Sequence, residues 1–226
     1  MKLEGDTKRM MARWSRWVWL LTVVVLAGAV IVGVPGIRGQ ILRGAGWALV
    51  VSDPLESADI IVLAVDSGGA GVLEAADLVH SGIALRVAVF AASPADSVER
   101  EFSRRGIPYE DLAPRSVRLL RALGVTAIEQ IPRAVVGTAS EAEILPGWCD
   151  QHRFRSIVVV SSPDHSRRLR RMLRRSMKNH QTRVAVRPAR YSTFDPDRWW
   201  ETRRGVRTEI IELQKLLLDV IRHPIS

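Results

Sequence analysis

The longest unbroken apolar stretch lies near the N-terminus. No charged residue interrupts positions 17–37, which read WVWLLTVVVLAGAVIVGVPGI. At ~1.5 Å rise per residue, about 20 helical residues cover a hydrocarbon core of ~30 Å. A helix satisfies its own backbone in lipid, which no other open segment does. Trp14, Trp17 and Trp19 stand where indole rings favour the headgroup layer, and Pro35-Gly36 is expected to end the helix. Two other origins of such a run fit less well. A buried core helix would need surroundings apolar on every side so close to a terminus. A cleaved signal peptide has an apolar region of only ~7–15 residues, and here the small-residue site Ala27-Gly28-Ala29 falls in mid-run. The expectation is one uncleaved transmembrane signal-anchor at 17–37. Lys2, Lys8, Arg9, Arg13 and Arg16 precede it. They mark 1–16 as a cytoplasmic leader in the inner (cytoplasmic) membrane, with the C-terminal domain outside. Arg38 and Arg43 reduce the contrast.

Beyond the span the pattern changes to short apolar runs alternating with helical periodicities. Residues 38–57 read as a juxtamembrane linker; its Ile41, Leu42, Leu49 and Val50 suit a short helix, and Asp53-Pro54 suits a turn. A domain then occupies 58–226. Ala58–Val65 is continuously apolar after Asp59 and rich in β-branched residues, the signature of a strand buried on both faces of a parallel sheet. Further strands are predicted at Arg86–Ala91, Thr126–Ile131, Ser156–Val160 and Arg183–Val186. Helices are predicted at Val72–His80, 95–105, Arg115–Leu123, Thr138–His152, from Pro163 to about Met177, and at Arg203–Ile221. The last carries Val206, Ile210, Leu213, Leu217 and Ile221 at helical spacing, which predicts a core-facing apolar stripe. Alternation of this kind implies a three-layer, Rossmann-like, mostly parallel α/β sheet.

Composition adds two constraints. A single cysteine, Cys149, excludes an internal disulfide, and the net charge of +9, carried mainly by arginine, favours anionic partners. Phospholipid headgroups and phosphorylated precursors fit an anchored domain; nucleic acid fits its topology poorly. A GC-rich genome enriches arginine in the same way.

In an open parallel sheet, ligands bind at the carboxyl ends of the strands. Two loops leave predicted strands at that edge. The first is Asp66-Ser67-Gly68-Gly69-Ala70-Gly71, where glycines permit positive φ and close approach, and the next helix N-terminus favours an anion. It lacks both the dinucleotide fingerprint and the P-loop lysine. Asp66 suits a base, a metal ligand or simply a helix cap. The second is Ser161-Ser162-Pro163-Asp164-His165-Ser166-Arg167-Arg168. Ser162 or Asp164 can cap the helix and Pro163 suits its first turn. His165, in a first turn where the helix dipole opposes its protonation, suits a neutral acid/base or a hydrogen-bond donor. Arg168 suits a clamp on phosphate or carboxylate. Thr138-x-x-Glu141 matches a capping box, and both residues can also reach the same edge. Arg167, Arg168, Arg170, Arg171, Arg174 and Arg175 make the helix after Ser162 strongly basic, either as a solvated face or as a contact for anionic lipid. No zinc spacing and no Gly-x-Ser-x-Gly elbow occur, and no particular cofactor is indicated.

The order of these pieces resembles the ElyC/SanA/YdcF family. The shared pattern is an Ala-Asp-strand-glycine loop (Ala58–Gly69), a helix ending in Gly82-Ile83-Ala84, a Thr-x-x-Glu helix start (Thr138–Glu141), and a strand followed by Ser-Ser-x-x-His-x-x-Arg (Ser161–Arg168). The match covers about residues 58–219. It implies a single-span bacterial envelope protein with a Rossmann-like domain, linked to cell-wall precursor handling. His165, Asp66 and Glu141 would then be catalytic, with Ser67, Gly68, Gly69, Thr138, Ser162 and Arg168 binding the ligand. The chain departs from the family pattern at Ala70–Glu74, where an arginine is usual, at Val65-Asp66-Ser67, and at Phe90-Ala91-Ala92. Those departures lend weight to an alternative, a non-catalytic scaffold of envelope assembly acting through its basic surface.

Overall fold

A computed structural model of the chain describes residues 19, 22, 23, 33, 35–91, 97–108, 111–132 and 138–224. The chain divides into two compact units, Met1–Gly44 and Ala45–Ser226. In the first, the described residues are helical. Helix α1, Pro35–Leu49, begins there. Pro35 and Gly36, expected to end a helix, are themselves helical. Among the described residues no helix is long and apolar enough to cross a membrane; most of the span expected at 17–37 lies outside them.

The second unit is built on five parallel strands: β1 Ile60–Leu63, β2 Arg86–Phe90, β3 Ala127–Ile131, β4 Ser156–Ser161 and β5 Arg183–Pro188. Their spatial order is β3-β2-β1-β4-β5. The apolar pattern explains that order. Every residue of β1 is buried, and β4 is buried after its first residue. The more polar β3 (AIEQI) and β5 (RVAVRP) take the edges.

Helices α2 (Gly68–His80), α3 (Ser97–Arg104), α4 (Leu112–Ala122), α5 (Thr138–His152), α6 (Pro163–Ser176) and α7 (Arg203–Arg222) complete the unit. Two cores separate the layers. Ile61, Leu63, Val87, Val89, Val158 and Val160 meet α2 and α4 through Val72, Ala76 and Leu120. Ile60, Val62, Ala88, Ile157 and Val159, on the opposite pleat, meet α5 and α6 through Leu145, Cys149, Leu169 and Leu173. The fold is thus a three-layer, Rossmann-like α/β arrangement. Residues 50–59 run along the domain: Asp53 N–H donates to Val186 O at 3.0 Å, and the Asp53 carboxylate accepts from Val186 N–H and Arg170.

Two expectations about helix faces change. The arginines of α6 turn inward. Arg170 pairs with Asp53, Arg171 and Arg175 with Asp219, Arg168 with Glu212, and Arg167 donates to the carbonyls of Trp47 and Val50. Only Arg174 of that set is exposed. Helix α7 is turned from the predicted face. Its buried residues are Gly205, Glu209 and Glu212; of the predicted core stripe, Leu213 packs against Leu49, Val50 and Phe194 and Val206 is half-buried, while Ile210, Leu217 and Ile221 face outward. The cause is electrostatic: Glu212 and Asp219 supply the counter-charges the α6 arginines need when buried.

Candidate functional site

The chain runs β1→β2→β3 toward one edge, then returns through α5 to place β4 on the other side of β1. The strand order therefore reverses between β1 and β4, the position where open α/β sheets bind ligands. Asp66 and Ser162 leave the two strands at that point.

After β1 the chain makes a single 3-10 turn, Val65–Ser67, and enters α2 directly. Ser67 Oγ donates to Ala64 O at 2.6 Å and closes the turn. Gly68 sits at φ +52°, in the left-handed region that favours glycine, and a Cβ at Gly71 would collide with the Ser67 side chain. No side chain caps α2, and a Cβ added at Gly68 or Gly69 would meet open space.

Asp66 reaches across the switch point. Its Oδ2 accepts from Ser161 Oγ (3.1 Å), Ser162 N–H (3.1 Å) and Ser162 Oγ (2.7 Å). Its Oδ1 is buried with no partner. Ser162 occupies the N-cap position of α6 but gives its hydroxyl to Asp66 instead of to the helix. Asp66 thus ties the two strand ends with one oxygen and leaves the other free.

His165 lies in the first turn of α6, with Nδ1 2.9 Å from Glu212 Oε2 and Nε2 3.9 Å from Asp164 Oδ2. Arg168 Nη2 lies 2.8 Å from the same Nδ1 and 3.3 Å from Glu212 Oε2. Nδ1 cannot donate to Glu212 and accept from Arg168 at once. Burial opposes charge on the ring, but the hydrogen bond to Glu212 and the carboxylates of Asp66, Glu212 and Asp164 outweigh it and hold the His165 pKa above the ordinary imidazole value. Glu212 Oε2 lies within hydrogen-bond reach of both His165 Nδ1 and Arg168 Nη2. The helix dipole alone disfavours charge on this ring, and the surrounding carboxylates act in the opposite direction. Glu212 responds in kind. Burial pushes it up, yet hydrogen bonds from His165 and Lys215 and the charge of Arg168 bring it down to about 2.

The opposite behaviour appears one turn earlier on α7. Glu209 is fully buried, neither of its oxygens has a partner, and burial with the nearby Asp164 pushes its pKa up to about 7. Burial also raises the Asp164 pKa, against the opposing pull of the His165 ring beside it. Glu209, Glu212 and the crevice residue Arg204 escape the sequence pattern. The available signal was that α6 carries more arginines than its own sequence neighbourhood can neutralise.

The switch point opens into a crevice of about 380 Å3. Asp66, Ser67, Gly68 and Gly69 form one side, Ser162, Asp164 and His165 a second, and Arg204 and Thr208 of α7 close it. A smaller cavity of about 120 Å3 shares Ser67, Gly68 and Gly69 with the crevice and extends on the other side of β1, against β2 and α4. Of the remaining expected residues, Glu141 is 3% exposed and accepts from Val65 N–H at 3.2 Å, bracing the turn from behind. Arg168 is turned from the crevice toward Glu212 and borders a separate groove between α6 and α7. The side chain of Thr138 lies outside the described residues. Among the described residues no group of three or more His, Cys, Asp or Glu side chains is arranged to hold a metal.

Fold and crevice define a Rossmann-like α/β domain with a polar site at its switch point. No family model matches the chain, and no curated protein matches it in sequence. Among solved structures, a universal stress protein in complex with cAMP superposes with a TM-score of 0.37 at 15% identity, over 59% of this chain and 99% of that one. The universal stress protein from Archaeoglobus fulgidus in complex with dAMP gives 0.35 at 12% identity, over 59% and 98%. Guanylylpyridinol- and ATP-bound HcgE from Methanothermobacter marburgensis gives 0.27 at 9% identity, over 77% and 100%. At these values the likeness extends no further than the open parallel α/β arrangement.

Proposed function

We propose that the crevice binds a phosphate-bearing sugar of the kind used as a cell-wall or polysaccharide precursor, presented to a domain held at the cytoplasmic membrane, on its outer side, by residues 17–37. One observation carries the reading: the uncapped N-terminus of α2, open above Gly68 and Gly69, borders the same crevice as Arg204 and His165, whose pKa the surrounding carboxylates hold up. Backbone N–H groups, a helix dipole, the Arg204 guanidinium and an imidazole suit a phosphate. The unpartnered Oδ1 of Asp66 and the Asp164 carboxyl supply acceptors for sugar hydroxyls, which a site for inorganic phosphate alone would not need. Where the ligand is processed, Asp66 Oδ1 is the atom suited to take a proton from an attacking hydroxyl or water. The alternative, a scaffold acting through the basic helix, has less support, because the α6 arginines other than Arg174 are committed to internal partners.

Titration calorimetry on the full chain in mild detergent tests this with three probes: a sugar 1-phosphate, the free sugar, and inorganic phosphate. The sugar phosphate should bind tightest. Arg204→Ala should weaken it by roughly 10- to 100-fold, the loss expected for one charge-assisted hydrogen bond. Equal binding by wild type and variant would remove the reading.

A further inference from the structure

Helix α7 inverts the usual arrangement of a surface helix. Its acids all turn toward the domain: Glu209 and Glu212 are buried, and Asp219 is bonded to Arg171 and Arg175. Its outward face carries Ile210 at 49%, Leu217 at 59%, Leu218 at 51% and Ile221 at 65% exposure. Arg203 and Arg207 stand exposed at one end of this face and Arg222 at the other. An apolar stripe with cationic ends and no acid is the pattern of a helix lying in the plane of a membrane interface.

We infer that this face of α7 docks on the surface of an anionic bilayer, with Ile210, Leu217, Leu218 and Ile221 in the acyl–headgroup boundary and Arg203, Arg207 and Arg222 against lipid phosphates. Charge chooses between the two plausible occupants. A second copy of the chain would bring arginine against arginine. In an antiparallel pair Arg222 meets Arg203 and Arg207; in a parallel pair like ends meet, and the face offers no carboxylate to either. Lipid phosphate supplies the missing counter-charge. The inference is independent of what the crevice binds. It bears on the crevice in one respect: α7 also contributes Arg204 and Thr208 to the crevice wall, so docking would hold the crevice mouth near the membrane surface.

The test uses the full chain reconstituted with vesicles, carrying an environment-sensitive fluorophore at Leu217→Cys. The native Cys149 is fully buried and its thiol is pushed up to about 12, so it stays unlabelled. Lys178→Cys, exposed beyond α6, is the control site. In vesicles containing phosphatidylglycerol, shallow spin-labelled lipid should quench the probe at position 217 at least ~3-fold more than at 178, and the difference should shrink in neutral vesicles. Ile221→Cys should repeat the result if labelling at 217 disturbs folding. A probe that is water-exposed and unquenched while the chain co-floats with vesicles overturns the inference. So does a shielded but unquenched probe, which would mean protein covers the face. A chain that does not float overturns it together with the anchor.

Discussion

Glu209 offers the sharpest test of the structure's electrostatics. It is buried without a hydrogen-bond partner, and its pKa stands at about 7 against 4.5 for the free side chain. Below pH ~4.5 the folded and unfolded chains both carry a neutral carboxyl there, and the residue contributes no pH dependence. Between about 4.5 and about 7 the unfolded chain releases its proton while the folded chain keeps it. Stability should therefore fall as pH rises through that window, and stay flat above it. A difference of about 2.5 units at ~1.4 kcal/mol each amounts to a cost of about 3 kcal/mol at pH 8. Glu209→Gln substitutes an amide that, like the neutral acid, leaves its polar atoms unpaired, so the two proteins should be nearly equal at pH 4.5. At pH 8 the variant should be the more stable by about 3 kcal/mol. Urea unfolding of residues 45–226, followed by tryptophan fluorescence at both pH values, reads the difference. If the gap between variant and wild type is the same at pH 4.5 and pH 8, Glu209 is not a buried unpaired acid and the packing of α7 described above is wrong.

Other perturbations follow from the same geometry. Glu212 titrates at about 2 instead of 4.5, so its contribution is present above pH ~4.5 and lost as pH falls toward 2; Glu212→Gln should cost about 3 kcal/mol at pH 7 and little at pH 2, by the same unfolding assay. The glycine loop separates a structural from a binding role. Gly71→Ala, whose Cβ meets Ser67, should lower stability by about 1–3 kcal/mol, while Gly69→Val, pointing into open space, should leave the melting temperature nearly unchanged and abolish sugar-phosphate binding in calorimetry. Asp66→Asn keeps an oxygen for Ser161 and Ser162 but replaces the free Oδ1 with a donor; unfolding should change by less than about 1 kcal/mol, whereas ligand affinity should fall measurably.

Much of the fold is legible in the pattern of residues. The continuous apolar runs at Ile60–Leu63 and Ile157–Val160 mark central strands because both faces of a parallel sheet are covered, and these are the fully buried strands. The stripe of α6 is equally readable, with Leu169 and Leu173 buried and Met172 packed beside them. Strand order is less so. That β4 returns beside β1 depends on the crossover through α5, and neither strand's composition encodes its neighbour; yet this crossover is what brings Asp66 to Ser162. The face of α7 misleads for a different reason. Periodicity locates an apolar stripe but does not say which side turns inward, and here the ion pairs with α6 decide it. Pairing also explains Arg168. A cation after a strand end reads as a ligand clamp until the partner carboxylate, Glu212, appears from 44 residues further along the chain.

The measurement that bears most directly on the central proposal is a crystal structure of the protein with a sugar 1-phosphate bound. The account predicts the phosphate on the N–H groups of Gly68 and Gly69, within reach of Arg204 and His165, with a sugar hydroxyl on Asp66 Oδ1. A ligand seated in the smaller cavity between β1 and β2, in the groove between α6 and α7, or with its phosphate directed away from the start of α2 would contradict it.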